Sequence, residues 1–73
     1  MVDFSCVINC GRTNPKFGEF AKKMFIISGK ILNAEWATAN NATYLKGKMN
    51  NANFAEFLSV LDDLKLFAKV KKA

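Results

Sequence analysis

Seventy-three residues, 51 % of them hydrophobic and with seven Phe and one Pro, predict a single folded domain over residues 1–73, with a core too modest for a deep catalytic cleft. Eleven Lys and Arg against six Asp and Glu, a formal charge of +5 with no His, favour an anionic partner and remove the commonest general base. The longest uncharged apolar stretch runs between Lys23 and Lys30, well short of the roughly 20 residues that span a bilayer, so no transmembrane helix and no membrane partner are expected.

Residues 2 to 10 alternate strictly, with Val2, Phe4, Cys6, Ile8 and Cys10 on one side and Asp3, Ser5, Val7 and Asn9 on the other, which predicts a strand with one buried face. On an extended strand the Cα atoms of Cys6 and Cys10 stand about 13 Å apart. A disulfide between them is excluded unless the strand bends before Cys10. Two Cys without any His fall short of the four ligands of a closed zinc site, so no metal and no cofactor are expected. Both thiols are expected to be buried and free. Together with the Met-Val-Asp-Phe start, which lacks the positive n-region of a secretory signal, they lead to the expectation of a cytoplasmic protein.

Gly11-Arg12-Thr13 is the expected turn, followed by Asn14 as N-cap and Pro15 at the first helical position. Phe17, Phe20, Ala21, Met24 and Phe25 then recur at helical steps, and Gly29 is placed to end the helix. From Ile31 to Met49 the chain has the pattern of a β-hairpin folded about Asn40-Asn41. That register pairs Thr38 with Thr43, Trp36 with Leu45, Ala34 with Gly47 and Leu32 with Met49 on an apolar face, and sets Glu35 across from Lys46 on the other. Asn53 with Glu56 three residues on has the form of a capping box. The helix it opens carries Phe54, Phe57, Leu58, Leu61 and Leu64 as its apolar stripe. Leu66, Ala68 and Val70 against Phe67, Lys69 and Lys71 predict a short fourth strand.

The order β-α-β-β-α-β predicts an α+β fold, a four-stranded antiparallel sheet with both helices on one face and with the first and third strands central and running parallel. This pattern resembles the ferredoxin-like plait. RNA-recognition motifs, ACT-type regulatory domains, acylphosphatases and heavy-metal-associated domains share it, and element order alone does not choose among their functions. Heavy-metal-associated domains carry Cys-x-x-Cys after the first strand, where this chain has Cys6-Val7-Ile8-Asn9-Cys10. Resemblance to acylphosphatases would make Arg12, ahead of a helix N-terminus, an anion site. The third strand, Thr43 to Met49, lacks the multi-aromatic motif of RNA-recognition domains, but the sheet face opposite the helices, which those domains use, is predicted to bear Tyr44, Lys46, Lys48, Phe67, Lys69 and Lys71.

Six scattered carboxylates and no His leave a Ser or Cys nucleophile without a base, so the chain is expected not to be an enzyme. The expected role is that of a small regulatory binding module taking nucleic acid on the basic, aromatic-bearing face. The alternatives are a protein-interaction module that meets an acidic protein surface, and an ACT-like small-ligand domain. The second strand, an edge guarded by Glu35 alone, makes homodimerisation through that edge or through the open face a further expectation.

Overall fold

A computed structural model describes residues 1–72 and contains β1 (Val2–Ile8), α1 (Phe17–Ser28), β2 (Leu32–Thr38), β3 (Thr43–Met49), α2 (Asn51–Asp63) and β4 (Ala68–Lys72). The four strands form one sheet in the order β2-β3-β1-β4. β1 and β3 are central as expected, but they pair antiparallel, Val2 with Met49 through Ile8 with Thr43. The expected parallel relation fails for a simple reason. The crossover through α1 sets β1 and β2 in the same direction, and the hairpin then reverses β3, which lies between them.

β1 and β3 each turn one set of side chains inward. Phe4, Cys6, Ile8, Leu45 and Met49 are buried in the same cluster as Phe20, Met24 and Ile27 of α1 and Phe54, Phe57 and Leu61 of α2. The ring of Phe4 lies 5.2 Å from that of Phe54 and 5.7 Å from that of Phe57, distances at which tilted aromatic pairs are favourable. Both helices therefore cover one face of the sheet and leave the other in water.

α1 starts later than its caps predict. Asn14 Oδ1 accepts from Lys16 N at 2.8 Å and closes a local turn, so that Phe17, rather than Pro15, begins the helix. Its buried stripe is Phe20, Met24 and Ile27. Phe25, expected in the stripe, is 82 % exposed, because Met24 and Ile27 already fill the inward positions and Phe25 is rotated about 100° from Met24. In α2 the cap is Asn50, whose side chain accepts from Asn53 N at 2.7 Å. The expected capping box at Asn53 is not formed, and Glu56 instead reaches Lys30 at 3.2 Å. Leu58, also expected inside, is partly exposed.

α2 ends in paired reverse bonds, Leu66 N to Leu61 O and Lys65 N to Asp62 O, both 2.9 Å, around Lys65 at φ 56°. This is a Schellman motif with lysine in the left-handed position usually held by glycine. Lys16 Nζ donates to Leu64 O at 2.8 Å, bringing a positive charge to a helix end whose last turn has none of its own.

The hairpin keeps its expected register at the loop end and loses it at the other. Thr38 pairs with Thr43, Trp36 with Leu45 and Glu35 with Lys46, but Leu32 pairs with Lys48, not Met49. Asn33 and Ala34 together oppose Gly47, with Asn33 at φ 54°, a β-bulge whose first residue takes the left-handed region that Asn tolerates. The slip turns Leu32 onto the open face, 52 % exposed, and Ile31 fills the core in its place. Gly47 is required there, since a Cβ would collide with Ile31 Cγ2 and meet Leu32 O at 3.0 Å.

Asn33→Gly should leave the urea midpoint nearly unchanged, whereas Asn33→Val should cost about 1–2 kcal/mol, because a β-branched residue is strained at positive φ. Gly47→Ala should cost about 1–3 kcal/mol through overpacking, and Ile31→Ala in the same chain should offset part of that loss. Additive losses in a double-mutant cycle would contradict the packing assigned to this pair.

Candidate functional site

The open face is built by the pleat of the four strands that carry it. Cross-strand neighbours run Lys71–Ser5–Lys46–Glu35 in one row and Lys69–Val7–Tyr44–Ala37 in the next, with Asp3–Lys48–Leu32 beyond. Tyr44, Lys46, Lys48, Lys69 and Lys71 are therefore assembled on one surface, as the alternation predicts. Phe67 precedes β4 and continues its alternation, with its carbonyl accepting from Asn9 N at 2.8 Å, and its ring is 66 % exposed.

Two carboxylates temper this face. Glu35 Oε2 lies 3.8 Å from Lys46 Nζ, with both side chains more than half exposed, and Asp3 is the direct cross-strand neighbour of Lys48. Lys69 and Lys71 have no carboxylate opposite them in the register. A shallow depression of about 250 Å³ opens among Asp3, Ser5, Lys46, Lys71 and Lys72. Asp3 and Leu32 are members of this surface that residue patterning alone did not select, although the parity of Asp3 with Ser5 already pointed to it, whereas Lys72, the cross-strand neighbour of buried Phe4, carries its Nζ to 5.4 Å from the centre of the Phe54 ring on the helix side.

Arg12 stands apart. Its own N–H donates to Ala39 O at 3.1 Å, Thr13 N to Asn40 O at 2.9 Å, and Asn14 N to Gly11 O at 3.0 Å. Lys16 N is taken by Asn14 Oδ1 and Phe17 N by Asn14 O. The backbone donors that would cradle an anion beside Arg12 are thus spent on the hairpin tip and on the local turn. Gly11 makes this docking possible, because a Cβ there would sit 2.5 Å from Ala39 O and Ala42 N. Arg12 itself is an exposed turn residue.

On the helix side, an apolar groove of about 310 Å³ runs between α1 and β2 and is lined by Phe17, Phe20, Met24, Phe25, Trp36 and Thr38, among others. Trp36, expected in the core, is 38 % exposed at its rim, because β2 is an edge strand that α1 only partly covers. The groove was not foreseen. Its one sequence signal is the run Phe25-Ile26-Ile27, since three consecutive apolar residues cannot all face the same side of a helix.

Cys6 and Cys10 are buried and free. The strand does bend before Cys10, through a Cys10 N to Ile8 O bond of 2.7 Å, yet no disulfide forms. Burial pushes the Cys6 thiol up to about 11, against a partial opposing effect of a backbone hydrogen bond from Leu45. Burial raises Cys10 as well, opposed by the charge of Lys16. Among the described residues no cluster of His, Cys, Asp or Glu could hold a metal, and no helix is long and apolar enough to cross a membrane. Protein-family models, curated proteins and solved structures contain no match to this chain.

Both thiols should resist an aromatic disulfide reagent at pH 8 in the native protein and react at once in denaturant. The raised Cys6 value means that the folded state holds this proton more tightly than the unfolded chain. Its contribution to stability is complete below about pH 9 and is lost as the pH rises through about 11. Thiol modification faster than global unfolding would contradict this burial.

Proposed function

We propose that this protein is a small non-catalytic binding module of regulatory type that takes a single-stranded nucleic acid on the open face of its sheet. The observation that carries this reading is the placement of Lys69 in the cross-strand row of Tyr44, of Lys46 and Lys71 in the adjacent row and of Lys48 in the row beyond, all on one face. Lysines at this spacing suit a phosphate backbone, and the exposed ring of Tyr44 beside them suits an unstacked base. The wet, unobstructed face accepts a flexible strand more readily than a rigid duplex. We read the architecture behind it as a ferredoxin-like plait. That reading rests on the sheet order β2-β3-β1-β4 with an α-helical crossover on each side of the hairpin. Two free buried thiols support a reducing, cytoplasmic setting.

Binding of a labelled oligonucleotide to the full chain should weaken steeply with salt, with a log–log slope of about −3 for four phosphate contacts to a single strand. Lys46→Ala with Lys48→Ala should flatten that slope by about half. Tyr44→Ala should weaken binding by about 1–3 kcal/mol with the slope unchanged, since it removes stacking and no charge. A salt-independent affinity, or variants that bind like the parent, would refute the reading. Retention of one stoichiometric protein after nuclease treatment of a native lysate would transfer it to an acidic protein surface.

A further inference from the structure

Two strand edges of the sheet are free, and they differ. β4 carries Lys69, Lys71 and Lys72, a row of lysines of the kind that keeps edges from pairing. β2 has no lysine between Leu32 and Thr38, and its single charge, Glu35, leans toward Lys46 at 3.8 Å. We propose that β2 pairs antiparallel with β2 of a second copy of this chain, with Ala37 facing Ala37 of the second copy on a two-fold axis.

The register follows from hydrogen-bond alternation. Ala39 N donates to Ala42 O at 2.8 Å and closes the hairpin loop, so Ala39 and, two residues back, Ala37 direct their polar groups toward β3. Trp36 and Thr38 direct theirs outward. An antiparallel pairing that satisfies these outward groups places Trp36 of each copy opposite Thr38 of the other, which centres the axis on Ala37. The bulge at Asn33 and Ala34 ends the seam on one side, and the hairpin loop ends it on the other. The edge is thereby self-complementary in one register only.

Side-chain chemistry agrees. On the open face the seam brings together two Ala37 and sets Glu35 opposite Ala39 of the second copy, so no lysine faces another across it. The two Glu35 side chains lie about 13 Å apart along the strands, beyond the screening length of about 10 Å at 0.1 M salt. Glu35 also stands between Lys46 and the seam, which lets two basic faces lie side by side. On the helix side the seam carries Trp36 of each copy to the mouth of the apolar groove of the other. Phe25, 82 % exposed on the same flank, gains cover there. A standard interface takes about 800 Å² per partner, roughly a sixth of the 4693 Å² surface. A seam this short with its aromatic flank predicts a dimer in exchange with its monomer.

Light scattering over a concentration series of the full chain should show the mass rising from 8.1 kDa toward twice that value. Ala37→Cys and Glu35→Cys alter exposed positions, and far-ultraviolet circular dichroism should show both folded. In oxidised glutathione, Ala37→Cys should form an intermolecular disulfide at least about tenfold faster than Glu35→Cys. A non-hydrogen-bonded pair holds its Cα atoms about 4.5 Å apart, within disulfide reach, whereas the Glu35 positions lie well outside it. Ala37→Lys should hold the protein at 8.1 kDa. Equal cross-linking rates, a faster Glu35→Cys reaction, or a mass fixed at 8.1 kDa at every concentration would overturn the proposal. So would an edge occupied by an extended segment of a different protein without self-cross-linking. None of these outcomes depends on nucleic acid.

Discussion

β3 is hydrogen-bonded on both sides, to β1 from Thr43 to Met49 and to β2 from Thr43 to Lys48, and its pleat alternates without a break between buried and exposed positions. Thr43, Leu45, Gly47 and Met49 point into the core, and Tyr44, Lys46 and Lys48 point into water. Every other part of the molecule is placed relative to this strand. β1 repeats the alternation beside it, the helices cover the inward side, and the outward side is left with the basic residues. Shifting β3 by one residue would bury two lysines and a tyrosine under the helices, a cost that holds the register against slippage.

The loop ends of the sheet are tied together with equal economy. Residues 11–14 turn back onto the hairpin tip through backbone bonds to Ala39 and Asn40, and Thr43 Oγ1 donates to Cys10 O at 2.7 Å in the interior. Lys16 then bridges to the end of α2. These contacts join the first crossover, the hairpin and the second helix at one end of the domain. They also use up the backbone donors near Arg12, so no backbone cradle for an anion is left there.

The two candidate surfaces, basic face and aromatic groove, arise from the same incomplete coverage. Two helices suffice to seal β1 and β3 but not the edge strand β2, so Trp36 stays partly in water beside the exposed Phe25 of α1. The bulge at Asn33 sharpens the difference between the two sides of β2 by moving Leu32 outward and Ile31 inward. An edge strand with one exposed aromatic, Trp36, and no lysine is the least protected part of this fold. The β4 edge, by contrast, is guarded by its lysines.

Much of this was legible in the chain itself. Period-two alternation in residues 2–8 and 43–49, the turn at Asn40-Asn41 and the stripes around Phe20 and Phe57 determined the order of elements. They also determined which residues of β3 and β4 share the open face, because local periodicity ties side-chain direction to position. Only the tertiary structure decided the antiparallel partner of β1, the bulge, the exposure of Phe25 and Leu58, and the cap at Asn50. Each of these depends on which neighbour fills a given space. Ile31 competes with Leu32 for one site over Gly47, Ile27 competes with Phe25 for the inward side of α1, and Glu56 is drawn to Lys30 instead of to its own helix end. Such contests between residues of similar hydrophobicity or charge are settled by packing across elements, which no pattern within a single element contains.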